Sequence, residues 1–250
     1  MVLGILNRKP LNREPMNHHL ISIYEFLLKE YGPQGWWPLL GCSGRKATPK
    51  GWVAGYHPGD YELPRTRSQV FEVCLGAILT QNTGWPQVEV ALRRLQAMGC
   101  LDAERIWQME IEDLKEAIRP CGYFNQKAKK VKIFTKYFLD LDRNRPPARE
   151  ELLSLWGIGP ETADSMLLYA FRVPTFVIDA YTRRILTSLG IADEKSSYQD
   201  LKTLFEQSLP RDFILYQEYH ALLVEHAKRF YQKKSESDSR LPCPLARLLS

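Results

Sequence analysis

Two short stretches concentrate the residues whose types and spacing could do chemistry. The first is Leu155-Trp156-Gly157-Ile158-Gly159-Pro160-Glu161-Thr162-Ala163. Helical patterns lie on both sides of it, and two glycines flank one apolar residue. Glycine lets a backbone approach a ligand closely. Pro160 suits the first turn of the following helix. The start of that helix carries free N–H groups and partial positive charge, which attract phosphate. Ile158 would pin the turn to the core. Gly157, Ile158, Gly159 and Thr162 are therefore candidate phosphate contacts. A bare G-x-G would read as a plain helix–helix connection; the apolar centre and the paired helices favour phosphate binding. The second stretch is Val177-Ile178-Asp179-Ala180-Tyr181-Thr182, with Asp179 twenty residues past Gly159. Asp179 ends an apolar run and opens a helix, the position of an N-cap. Capping also fixes a side chain's direction, so the same carboxylate can serve a reaction at a cleft edge.

The elements that must position these residues are nearly all helical. Leu20, Ile21, Ile23, Tyr24, Phe26, Leu27 and Leu28 give an amphipathic helix, stopped by Gly32-Pro33. Residues 1–16 show no period and read as a loose arm. From Gly35 to Pro64 the chain is rich in Gly, Pro, Trp and Tyr and reads as an ordered loop. Helical patterns then follow at 70–78, 88–95, 103–109, 111–119, 127–141, 149–155, 161–171, 180–189, 198–209 and 213–231. Val173 to Ile178 lacks partner strands and reads as a buried connector. Residues 233–240 are polar and expected to fray. The fold class is all-α. Helix, glycine turn and helix at 149–171 have the layout of a helix-hairpin-helix, which holds a DNA backbone without reading sequence.

Composition narrows the classes. The chain has 250 residues, 44% apolar and 25% charged, which argues against a disordered, collagenous or coiled-coil protein. The net charge of +5, from 34 basic and 29 acidic side chains, permits a polyanionic partner without demanding one. The longest nearly unbroken apolar run, Val73 to Leu79, is far short of the ~20 residues a spanning helix needs, so no membrane partner is expected. The N-terminal residues lack the pattern of a secretory signal. Cys42, Cys74, Cys100, Cys121 and Cys243 form no CxxC pair, and reduced thiols in the cytoplasm are the simplest reading. His220, Glu225 and His226 lack the H-E-x-x-H spacing, so no metal is assigned.

The stretch LWGIGPETADSMLLYAFRVPTFVIDAYTRRIL resembles the helix-hairpin-helix, Gly/Pro loop and aspartate signature of the HhH-GPD DNA glycosylases, the endonuclease III-like superfamily. Gly35-Trp36-Trp37-Pro38, Tyr56-His57-Pro58-Gly59-Asp60-Tyr61, Leu79-Thr80-Gln81-Asn82-Thr83 and Gly122-Tyr123-Phe124-Asn125-Gln126-Lys127-Ala128 are similar to its 3-methyladenine glycosylase III branch. The motifs keep the family's order over about residues 20–231. The resemblance implies a two-lobed endonuclease III-like fold. One lobe would be a helical barrel at 67–172 that includes the hairpin. The other would combine 17–66 with 173–232, and 233–250 would be a degenerate cluster-loop tail.

The resemblance also implies roles. Asp179 stands at the essential aspartate. A carboxylate beneath a sugar stabilises the positive charge that develops when an N-glycosidic bond breaks, and it can orient water. Glu161 stands where bifunctional members carry the lysine that forms a Schiff base, which a carboxylate cannot do. A monofunctional, hydrolytic enzyme is expected. Gln81 matches the residue that fills the hole left by a flipped base, and Tyr123 falls near a second wedge position. Trp36, Trp37, Pro38 and Trp85 are the expected base-pocket wall, suited to a cationic alkylated purine. Lys127, with Lys129, Lys130, Lys132 and Lys136, would meet phosphates. Many relatives hold a [4Fe–4S] cluster on four cysteines. Here only Cys243 remains, and Tyr231 stands near the first ligand position, so no cluster and no other cofactor is expected. The expected partner is double-stranded DNA containing a damaged base, bound by a monomer, and the expected location is cytoplasmic, at the nucleoid.

Overall fold

A computed structural model describes residues 13–48, 51–231 and 243–248. Eleven α-helices are found among them: α1 (Arg13–Tyr31), α2 (Arg67–Leu79), α3 (Trp85–Ala97), α4 (Ala103–Gln108), α5 (Ile111–Ile118), α6 (Phe124–Asp140), α7 (Arg149–Ser154), α8 (Pro160–Ser165), α9 (Ala180–Ser188), α10 (Tyr198–Ser208) and α11 (Phe213–Phe230). A short antiparallel hairpin pairs β1 (Arg45–Thr48) with β2 (Gly51–Ala54). The protein is all-α in class, and the hairpin is a local addition inside the segment expected to be a loop. The helix expected to start near Leu20 begins at Arg13, with Pro15 in a first turn that tolerates it. Residues 13–16 of the expected arm are thus helical, while 1–12 lie outside the described residues. So does the expected fraying at 233–240.

Two groups of helices pack around one continuous apolar core. In the first, α2 packs on α3, α6 and α8, while α6 also packs on α4 and α5. In the second, α11 packs on α1 and α9, and α1 also packs on α10. A wide helical turn at Met166–Ala170 continues α8 and touches both α2 and α11. The expected helix 161–171 therefore changes its winding midway. Such wide turns are often found at functional sites. The buried run Phe71–Leu79 makes α2 the central helix of the first group. Gly76 allows this packing: a Cβ there would lie 2.8 Å from Trp37 Nε1.

The segment before α2 is fastened at several points. The buried Glu218 carboxylate accepts from the backbone N–H groups of Gln34 (2.8 Å) and Gly35 (3.3 Å). His57 bridges the carbonyls of Trp37 (2.9 Å) and Asp60 (2.8 Å), and Glu72 accepts from Leu40 N (2.7 Å). These bonds hold Trp36 and Trp37 against the core.

In the tail, Leu245 is fully buried, and residues 244–248 pack on α1. Cys243 Sγ lies 3.2 Å from His226 Nε2, whose Nδ1 is 2.8 Å from Tyr31 OH. One thiol, one imidazole and a phenol do not fit an iron–sulfur cluster, which needs four thiolates. The other four cysteines lie on segments far from Cys243 in the chain.

Candidate active site

The hairpin is built as its sequence dictates. α7 ends at Ser154, Ile158 is buried and its N–H closes the turn on Leu155 O (3.1 Å), and α8 starts at Pro160. Gly157 has φ +83°, and a Cβ there would collide with the Lys130 side chain. The positive φ favours glycine, and any larger residue would also have to displace the Lys130 side chain. Gln81, just beyond the end of α2, ties this turn to the central helix. Its Nε2 donates to Gly157 O (3.0 Å) and Thr162 Oγ1 (2.9 Å), while its Oε1 accepts from Lys130 Nζ (2.5 Å). Thr162 is buried and engaged inside the protein. Gln81 must release these bonds before it can enter a duplex. Tyr123, in contrast, projects from the start of α6 at 70% exposure, in the left-handed region at φ 45°. Trp156 is also exposed and carries Lys129 Nζ over its ring at 4.5 Å.

Lys127 is not placed to meet a phosphate. It is 2% exposed, and its ammonium donates to Leu79 O (2.8 Å), Thr83 Oγ1 (2.7 Å) and Cys121 O (2.8 Å). Three donors are all an ammonium has. Burial lowers its pKa. It staples the end of α2 to the loops before α3 and α6. Lys132 is likewise spent on the carbonyls of Ile106, Trp107 and Met109, whereas Lys129 and Lys136 of the expected basic stripe are exposed.

Asp179 caps α9: Thr182 N donates to its Oδ1 at 2.7 Å. Its side chain is 14% exposed, and Oδ2 lies 3.8 Å from His220 Nε2. His220, on α11, is buried. Its Nδ1 is 2.7 Å from Tyr169 OH, shorter than the 3.2 Å from that hydroxyl to Gln217 O. The hydroxyl's single proton goes to Gln217 O or to Nδ1 according to the tautomer of the ring. Burial pushes the imidazole pKa down, and the Asp179 charge offsets only part of this. His220 Nε2 has no hydrogen-bond partner.

An aromatic group extends from His220. Trp36 meets His220 edge-on at 5.9 Å, and Trp37 lies 5.4 Å from Tyr169 and 5.6 Å from Trp85. Three of the four expected wall residues are thus brought together. Trp37 is mostly core, its indole N against Gly76, and Pro38 is buried beside Gly55. Sequence reasoning missed Tyr169 and Glu218 altogether and gave His220 no role. Glu161, one residue into α8, is open to solvent on one side, yet the surrounding protein and the Asp179 charge push its carboxyl up to about 7. It shares a local field with Asp179 and carries no amine.

A glycine hairpin beside a carboxylate at a helix entrance, on an all-helical two-lobed frame, has the parts of an enzyme that grips a phosphate backbone and works on what it holds. Comparison with known proteins agrees. Residues 75–211 match the family described as HhH-GPD superfamily base excision DNA repair protein. A Methanocaldococcus jannaschii protein, provisionally described as a DNA repair glycosylase, is 40% identical over 236 residues, covering 90% of this chain and 93% of its own. The crystal structure of H. pylori 3-methyladenine DNA glycosylase bound to 1,N6-ethenoadenine is 26% identical with a TM-score of 0.65, covering 87% of this chain and 99% of that one. An endonuclease III–DNA complex shares the fold at 18% identity and a TM-score of 0.67, over 93% and 94% of the two chains. The chain belongs to the HhH-GPD superfamily of base excision DNA repair proteins. It is a DNA glycosylase, endonuclease III-like in fold, and DNA is its partner.

Proposed function

We propose that the enzyme is a monofunctional glycosylase that flips a damaged base out of duplex DNA and hydrolyses its bond to the sugar, with an alkylated purine such as 3-methyladenine as the substrate. The observation that carries this is the Asp179 carboxylate. One oxygen is fixed by the helix it caps, and the other lies 3.8 Å from His220, whose ring adjoins those of Trp36 and Tyr169. A flipped nucleotide stacked on those rings would set its sugar beside Oδ2. There the carboxylate stabilises the developing cation and holds a water for attack. A 3-alkylated purine leaves as a neutral base from a cationic nucleoside, so it needs little protonation, and aromatic faces attract its charge. The likeness to the H. pylori enzyme supports this substrate class.

Hydrolysis without strand cleavage follows from Glu161. Position 161 carries no amine, and the lysines nearest the turn are engaged: Lys127 by three internal acceptors and Lys130 by Gln81 Oε1. Gln81 and Tyr123 are proposed to fill the vacated stack, and the hairpin backbone at 157–159 to hold the phosphates. The test is base release from duplex DNA treated with a methylating agent, resolved by product. Release of 3-methyladenine, with no borohydride-trapped adduct, supports the reading.

A second reading has its own observation. Lys228 Nζ already lies over the Trp36 ring at 5.6 Å, and the indole N–H groups of Trp36 and Trp85 are buried without acceptors. A base rich in carbonyl oxygens would satisfy such donors. Release of an oxidised or mismatched pyrimidine, with none of the alkylpurine, would favour it.

A further inference from the structure

We propose that a second cleft, at the opposite end of α2 from the hairpin, is a phosphate-binding site. It encloses about 430 Å³ between the start of α2, the end of α6, the 143–146 turn and the segment after Ala170. Five of its thirteen lining residues are arginines, namely Arg65, Arg67, Arg143, Arg145 and Arg172, and none is acidic. The whole chain carries 34 basic side chains against 29 acidic ones, so this concentration is not a reflection of average composition.

Two of the five guanidinium groups are neutralised from outside the cleft. Arg65 pairs with Asp60 at 2.9 Å, and Arg145 pairs with Glu151 at 2.7 Å. Arg67, Arg143 and Arg172 have no carboxylate partner among the described residues. Arg67 donates to Phe138 O and lies over the Phe138 ring at 4.3 Å. Arg172 donates to the carbonyls of Glu62 and Pro64. Carbonyl contacts fix the direction of a guanidinium without cancelling its charge. Each group also keeps further N–H donors for a ligand.

Burial, and then the charge of Arg143, hold the Arg67 pKa below its ordinary value, as expected for cations that lack a counterion. The positive end of the α2 dipole adds the same sign, since Thr66 and Arg67 both line the cleft. Planar guanidinium forks held at fixed angles match the oxygens of a phosphate. The thirteen residues of α2 put this cleft about 20 Å from the hairpin contact at Gln81. A single phosphate therefore cannot serve both places. The ligand is either the backbone of a longer nucleic acid or a soluble phosphate compound.

Pyrophosphate is the probe, titrated calorimetrically into the full chain at low salt. Saturable binding is expected, weakened about tenfold or more by Arg143→Glu. Arg143 is exposed and unpaired, so the variant should fold and release base normally. Arg105→Glu makes the same charge change on α4, which lines no part of the cleft, and should weaken binding by less than about twofold. A second arm separates the sources. On a duplex of about 30 base pairs, a nucleic-acid ligand predicts that Arg143→Glu lowers the salt dependence of binding by about one phosphate contact, with no change on about 10 base pairs. A soluble ligand predicts no change on either. Absence of saturable pyrophosphate binding, or equal losses in the two variants, overturns the proposal.

Discussion

Asp164 and Asp179 lie fifteen residues apart and have opposite surroundings. Asp164 is wholly buried and fully answered. It accepts from Arg149 (2.7 and 3.1 Å), Lys202 (2.8 Å), Tyr198 (2.8 Å) and Thr175 (3.3 Å). These donors come from α7, α10 and the connector at 173–178, so the network clamps the hairpin helices to the chain that leads into Asp179. Asp179 has one short donor, a histidine at 3.8 Å and a partly open oxygen. A carboxylate satisfied on every side holds a fold together. One left incompletely satisfied beside a second carboxylate, Glu161, is less stable in place and available for chemistry.

The contrast can be broken most severely at Asp164. Asp164→Asn leaves Arg149 without its anion and Lys202 with only Glu206, at 3.6 Å. Breaking a buried pair in this way costs about 3–5 kcal/mol, which urea unfolding would measure. Turnover per folded molecule should survive. Glu161→Lys is expected to convert the chemistry. A lysine beside Asp179 would form a Schiff base with the opened sugar, read as a borohydride-trapped adduct, and the proposed reading expects none from the parent protein. Trp36→Ala should lower release of cationic alkylpurines by about tenfold, the worth of a stacked cation–π contact, while abasic-product binding changes little. Equal losses in both would mean that Trp36 acts through folding.

The smallest effect is in pH dependence. The Glu161 carboxyl holds its proton up to about 7 in the folded chain, against an ordinary 4.5. A raised carboxyl contributes stability that is present below 4.5 and lost as pH rises through 7. Glu161→Gln removes that titration. Its unfolding midpoint should gain on the parent between pH 4.5 and 7, by a modest amount because the side chain reaches solvent. A constant difference across that range would mean that its surroundings do not raise the Glu161 carboxyl.

Legibility in the sequence followed chain distance. The hairpin and Asp179 were readable because a turn, a cap and a helix start are set by adjacent residues. Most helices were readable from their period. The wall of Trp36, Trp37 and Trp85 came from resemblance alone, since aromatic residues also fill cores. Tyr169–His220 and Gln34–Glu218 were invisible: their partners stand 51 and 184 residues apart, and no local pattern encodes such pairings. Lys127 misled for a related reason. Its neighbours in sequence are basic and solvent-facing, but its own position on α6 points inward to three carbonyl and hydroxyl oxygens. The β1–β2 pair escaped because four-residue strands give too little alternation to detect.

The most direct test sets Asp179→Asn beside the parent protein on one lesion-containing duplex, with base release, DNA affinity and thermal midpoint measured together. The account predicts a loss of base release of about 1,000-fold or more, with affinity nearly unchanged and a midpoint equal to or above the parent's. Turnover that survives the substitution, or a loss of activity matched by a loss of folding, would contradict it.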